Sequence, residues 1–174
     1  MSSQFSTAPT KLQRLRNAIA RLLTDESVQL DGTTIAPVWE ESAVITERQT
    51  DIWREVAVAV SAATHGCVCV IEDKEGDGSE EDGLEMDLTI AVTILGPVNL
   101  TPGAEPEELL WEKTVRRLHN ARPICEGVTD DWSRRLRFQG WKSAPDMIPD
   151  SALEAVQLAR QTVFKVRFSL DPDA

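Results

Sequence analysis

Two stretches of the chain alternate apolar and polar residues strictly enough to dictate a sheet. In LTIAVTIL, Leu88, Ile90, Val92 and Ile94 alternate with Thr89, Ala91 and Thr93. In FKVRFSL, Phe164, Val166, Phe168 and Leu170 alternate with Lys165, Arg167 and Ser169. Successive side chains on a strand point to opposite faces, so each stretch has one apolar face that must be covered. Covering elements are therefore required. The sequence offers them as amphipathic helices.

The first runs from Pro9 to Leu23, where Leu12, Leu15, Ile19, Leu22 and Leu23 recur at helical steps between basic residues, with Thr7 or Thr10 as its cap. The second runs from Glu105 to Ala121. It has Pro106 near the first helical position, and Glu105, Glu107 and Glu108 fill its first turn. Arg116, Arg117, His119 and Arg122 lie toward its end, so the charges complement the helix dipole at both termini. Trp111, Val115 and Leu118 mark its expected buried face, and Pro123 stops it. Asp31-Gly32, between Val28–Leu30 and Thr33–Ile35, predicts a hairpin, because both turn residues tolerate positive φ. Pro37 and Trp39 suggest an edge strand or an extended connection.

Further strands are expected over Cys67–Ile71 and Arg135–Trp141, the latter with Leu136 and Phe138 pointing one way. Residues 44–63 fit helix or strand. The alternation EVAVAV favours strand, since β-branched residues suit a pleated surface. After the Pro-rich connection at 145–149, Ser151–Arg160 is a short helix or the early part of the last strand. The order is helix, strands, helix, strands: one α+β domain over residues 1–174 with a mostly antiparallel sheet, an amphipathic N-terminal helix and one helix packed across the sheet.

The acidic stretch EDKEGDGSEEDGLE raises the question of calcium. Asp73, Glu75 and Asp77 followed by Gly78 follow the opening spacing of an EF-hand, where oxygen ligands recur around a glycine turn. The bidentate Glu required at the twelfth position is here Leu84, with Glu85 one residue late. The flanking segments are also strand-like. The stretch is read instead as a flexible, solvated acidic loop at about 72–87, with Glu80, Glu81 and Asp82 as its contact residues.

His65, Cys67 and Cys69 are spaced two apart and would share a strand face. With Cys125 they are the weak candidates for a zinc site, although buried Cys more often acts as a small hydrophobe. Three cysteines give no disulfide framework. The sequence has no GxSxG elbow, phosphate-cradling glycine loop or HExxH motif. His119 sits where a helix dipole stabilises an imidazolium without catalysis. Asp130-Asp131, beside Arg134 and Arg135, reads as a solvated turn. No catalytic residue, cofactor or metal is expected. Among 174 residues the formal charge is −11, which argues against a surface that grips nucleic-acid phosphates. The N-terminal stretch lacks the apolar core of a signal peptide, and no segment approaches the roughly 20 apolar residues that cross a bilayer. A soluble protein of a reducing cytoplasm is expected, with no membrane partner.

Five tryptophans occur with no tyrosine. Trp132 and Trp141 lie among Arg and Lys and are candidate interface anchors, since Trp and Arg are enriched at binding hot spots.

In its order of elements the chain resembles the tail terminator, or tail-completion, proteins of long-tailed phages. The resemblance is carried by KLQRLRNAIARLL, by the hairpin of CVCVIED and LEMDLTIAVTIL, by the helix EPEELLWEKTVRRLHNA, and by RLRFQGW and QTVFKVRFSL. It implies a non-catalytic assembly role in the virion, performed in the host cytoplasm. Such a protein forms a homo-hexameric ring that caps the tail tube protein and ends polymerisation. It offers a docking surface to the head–tail connector protein, and DNA passes through the lumen without specific binding. An acidic ring suits that passage because it repels the duplex. A six-fold ring needs heterologous interfaces, and the basic strand face of Arg135, Arg137, Lys165 and Arg167 is expected to meet a neighbour's acidic loop, with Glu80, Glu81 and Asp82, on one. The alternatives are another head–tail joining or neck protein, or a small monomeric metal- or ligand-binding module.

Overall fold

The computed structural model describes residues 10–28, 31–47, 51–78, 83–98, 102–103, 105–123 and 135–170. The chain is an α+β fold built on a five-stranded, mostly antiparallel sheet. In chain order its elements are α1 (Lys11–Thr24), β1 (Ser27–Val28), β2 (Thr34–Ile35), β3 (Val44–Ile45), α2 (Ile52–Ala62), β4 (Val68–Gly78), β5 (Glu85–Gly96), α3 (Glu107–Leu118), β6 (Arg137–Ser143) and β7 (Leu158–Ser169). The sheet order is β3-β4-β5-β7-β6, and only the two-residue β3 runs parallel to its neighbour.

The two alternating stretches form the centre of the sheet. β5 pairs with β7 along its whole length, from Glu85↔Ser169 to Gly96↔Leu158. Register partners share a face, so Ile90, Val92, Ile94 and Phe164 present one apolar surface with Ile71 and Cys69 of β4. Both α1 and α3 cover that surface. Thr10 caps α1 by accepting the Gln13 N–H, and Leu15, Ile19 and Leu23 are fully buried. Trp111 of α3 donates its indole N–H to Thr162 Oγ1 on β7 at 2.9 Å. Trp39, in the connection after β2, is buried and donates its indole N–H to Thr114 of α3 at 2.9 Å. Val68, Val70, Thr93 and Leu95 have the opposite parity and are buried too, so this end of the sheet is covered on both faces.

Four expectations need correction. Over 44–63, only Val44–Ile45 is strand, and Ile52–Ala62 is helix α2. Asp51 caps it by accepting the Arg54 N–H, and Val56 and Val60 face the core one turn apart while Val58 is exposed. The period-four burial overrode a period-two pattern of valines. The buried stripe of α3 is Glu107, Leu110, Thr114 and Leu118, with Trp111 and Val115 only half-buried. The helix also stops earlier than Pro123 suggests, because Asn120 takes a positive φ of 64°.

The acidic stretch, third, is largely sheet. Residues 72–78 belong to β4 and residues from Glu85 onward to β5, with Asp77↔Asp87 and Gly78↔Met86 still in register. Its charges do not prevent pairing, because those from Lys74 to Asp77 lie on an exposed strand end whose backbone is satisfied by β5, and Asp73 pairs with Arg16. The expected contacts Glu80, Glu81 and Asp82 lie outside the described residues. Fourth, the Asp31-Gly32 hairpin pairs Val28 with Thr34, so its loop is longer than two residues; Asp31 accepts the Thr33 N–H and Gly32 has a φ of 83°. Of 151–160, Asp150–Ala152 is a 3-10 turn and Leu158 onward is strand.

Candidate functional site: a basic cleft at one rim of the sheet

Four arginines meet where β5, β7 and β6 end beside the C-terminus of α3. A cleft of about 710 Å3 is lined by Asp87, Asn120, Arg122, Arg135, Arg137 and Arg167. Strand pairing explains the convergence. Asp87 lies opposite Arg167, and Lys165, two residues before Arg167, lies opposite Arg137, so these side chains share one face of the sheet. Asn120 donates its N–H to the carbonyl of Leu136, and Arg135 Nη1 donates to the carbonyl of Asn120 at 2.7 Å. These bonds fasten the end of α3 to the start of β6. They bring Arg122 and Arg135, separated in sequence, to the same rim.

Arg167 is shared with its own chain: it sits 3.4 Å from both Glu85 and Asp87. All three groups are substantially exposed, so these pairs contribute little to stability. Arg137 is exposed, and neither it nor Arg122 forms an ion pair among the described residues. Arg122 Nη2 is shielded from solvent and has no hydrogen-bond acceptor among the described residues. Of the predicted basic face, the structure gathers Arg135, Arg137 and Arg167 in the cleft and leaves Lys165 on the adjoining sheet face. Arg122 was read as a helix-end charge, and no sequence signal connects it to the others across the turn.

Trp141 is about half exposed, yet its inner face is occupied within the chain. It packs on Trp111 at 5.5 Å and covers the Arg160 guanidinium at 4.3 Å from its ring centre. Trp132 lies outside the described residues. His119 stands at the C-terminal end of α3, as its helix-end position in the sequence suggests. Its Nδ1 accepts the Phe138 N–H at 3.3 Å, which satisfies an edge-strand donor.

The expected metal candidates do not come together. Gly66 has a φ of 74°, so His65 lies in a turn outside β4 and does not share a strand face with Cys67 and Cys69. Cys125 lies outside the described residues, and no group of three or more metal-ligating side chains is found among those described. Burial pushes the Cys69 thiol up to about 12; burial, and secondarily the Glu107 charge, push Cys67 up to about 11. Both are protonated near neutrality and act as apolar filling. Asp73, first in the calcium reading, instead pairs with the Arg16 guanidinium.

A second groove of about 760 Å3 lies between α1, β3 and α2, where Arg14 and Arg21 face Glu41, Glu47 and Glu55. Its charges are mixed in sign, whereas the rim cleft is dominated by one sign. The described residues contain no helix long and apolar enough to cross a membrane. No family model and no curated protein matches the chain.

Proposed function

We propose that this chain is a structural protein of a long-tailed phage, one that closes the tail tube as a hexameric ring and offers its outer face to the head–tail connector. The observation that supports the reading best is the separation of charge across the sheet. Near one edge, the exposed end of β4 carries Glu72, Glu75 and Asp77. At the opposite edge, β6 and its surroundings carry Arg137, Arg135 and Arg122. A ring requires one patch to meet a different patch on the next copy, and complementary opposite rims meet that requirement. The net charge of −11 keeps a lumen of such rings unattractive to duplex DNA.

Light scattering on the purified protein tests the reading. The expected result is a mass near six protomers, with electron images of rings. The double reversal Arg137→Glu, Lys165→Glu is expected to leave folded monomers. An intact ring in that variant removes the proposed pairing. A monomer holding stoichiometric zinc or calcium overturns the ring reading in favour of a small binding module.

A further inference from the structure

We infer that the rim cleft is a phosphate site, specific for a phosphate monoester dianion. The inference uses one chain only, and in a ring that seats a neighbour's acidic strand end on this rim the ligand and the neighbour compete for the same arginines. Arg122, Arg135, Arg137 and Arg167 line the cleft, and the carboxylates facing them among the described residues are Asp87 and Glu85, both on Arg167. Among the described residues the cleft gathers four guanidinium groups against two carboxylates, within a chain whose total is −11. Such a concentration is costly through mutual repulsion unless an anion relieves it. The buried Nη2 of Arg122 adds a separate requirement, because a shielded guanidinium donor without an acceptor costs free energy that a ligand oxygen would recover.

The chemistry of the donors selects the anion. A guanidinium presents a planar fork that matches two oxygens of a phosphate, and several forks around one cleft suit a tetrahedral group with three free oxygens. A phosphate monoester carries about −1.5 to −2 charges at neutral pH, which suits the excess of guanidinium over carboxylate groups among the described residues. A backbone diester carries one charge and offers two free oxygens, so it leaves donors and charge uncompensated. Arg135, held by the Asn120 carbonyl at 2.7 Å, and Arg167, held by two carboxylates, are already oriented. Arg137 and Arg122 are the donors that the ligand would order.

Calorimetric titration of the full-length protein with methyl phosphate and dimethyl phosphate, at matched ionic strength, tests this. Methyl phosphate is expected to saturate one site per chain at pH near 7.5, and dimethyl phosphate to bind at least about tenfold more weakly, as expected for the loss of one charge-assisted contact. Lowering the pH to about 5 removes the second ligand charge, whose pKa is about 6, and is expected to weaken methyl phosphate binding. Arg137→Gln, at an exposed position that does not threaten folding, is expected to weaken it about tenfold; Arg122→Gln is expected to do the same where it folds. Equal binding of the two esters, a preference for the diester or for duplex DNA, or unchanged affinity in Arg137→Gln overturns the inference. Light scattering on the same samples separates the two readings: a monomer that saturates with methyl phosphate supports the site and removes the ring, whereas a ring or monomer that takes up no methyl phosphate overturns the site.

Discussion

Asp73 on β4 pairs with Arg16 on α1, across 57 residues of sequence, and this pair ties the first helix to the sheet. Only 7% of the Arg16 side chain and 12% of the Asp73 side chain are exposed. The rest of the guanidinium is also used: Nε donates to the Thr46 carbonyl at 2.8 Å and Nη2 to Gln13 Oε1 at 2.7 Å. Removing one partner of a buried pair strands the other charge, which typically costs about 3–5 kcal/mol. Asp73→Ala is therefore expected to lower unfolding free energy by about that amount in urea titration. Replacing both, Arg16→Met with Asp73→Leu, is expected to recover most of the loss. A loss below about 1 kcal/mol in the single variant would show that solvent reaches the pair.

Cys69 predicts an alkaline weakness. Its folded thiol is held up to about 12 by burial, while an unfolded thiol ionises near 9. The unfolded chain therefore releases a proton first as pH rises. The contribution of Cys69 is fully present below about pH 9 and is lost progressively toward pH 12. Cys67, held up to about 11, acts in the same direction. Stability measured from pH 8 to 11 is expected to fall, and to fall less steeply in Cys69→Ala once the lower starting stability of that variant is subtracted. Parallel curves for the two proteins would reject the assignment.

Gly96 ends β5 against Cys67. A Cβ built on it would stand 2.7 Å from Cys67 Sγ and 3.6 Å from the Gly66 carbonyl oxygen. The sulfur is buried and close to backbone, so it has little room to withdraw. Gly96→Ala is expected to cost about 1–3 kcal/mol through overpacking, read as a lower thermal midpoint. Gly96→Ala with Cys67→Ala removes the obstructing sulfur, and the added cost of the Gly96 change is expected to shrink. Strict additivity of the two changes would place the strain elsewhere.

The parts of this fold legible in the sequence were those in which period and burial agree. β5 and β7 alternate because one face is apolar, and α1 repeats at helical steps because one stripe is buried. Where the two conflict, tertiary context decides. Val56, Val58 and Val60 read as strand, yet only Val56 and Val60 reach the core, four residues apart on α2. The acidic stretch read as loop because charge usually marks solvent. Its end of β4 is both paired and exposed, a combination that residue type alone does not report. For the cleft, the alternation placed Lys165 and Arg167 on one face, and pairing with β6 added Arg137. Arg122 joins only through the turn at Asn120, whose positive φ depends on the strand it meets.

Thr93 lies within β5, fully buried, and its hydroxyl has no hydrogen-bond partner among the described residues. Its register partners are Val70 and Gln161. An unpaired buried hydroxyl costs on the order of 1–3 kcal/mol, and valine has the same shape without it. Thr93→Val is expected to stabilise the protein by about 1 kcal/mol and raise the thermal midpoint by about 2–4 °C. A destabilised variant would show that the hydroxyl is satisfied in solution.

Arg160 joins the last strand to α3 through two kinds of contact at once. Its Nε and Nη2 donate to the two Glu107 oxygens at 2.6 and 3.2 Å, and Glu107 is 9% exposed. Its guanidinium carbon stands 5.1 Å from the Trp111 ring centre and 4.3 Å from that of Trp141, with the two indoles 5.5 Å apart. A fork that satisfies a carboxylate while lying against two adjacent rings cannot be imitated by a single ammonium. Arg160→Lys is therefore expected to keep the charge yet lose about 1–2 kcal/mol. Arg160→Ala is expected to lose about 3 kcal/mol or more, because Glu107 is left buried and unpaired. Trp141→Ala opens one side of the stack while leaving the ion pair, so its cost is expected to be the smallest of the three. Tryptophan fluorescence adds a second readout: in Arg160→Ala, water reaching Trp111 and Trp141 is expected to shift emission to longer wavelength. If Arg160→Lys matches the parent protein in both stability and emission, the stack contributes nothing and the carboxylate contact alone holds β7 to α3.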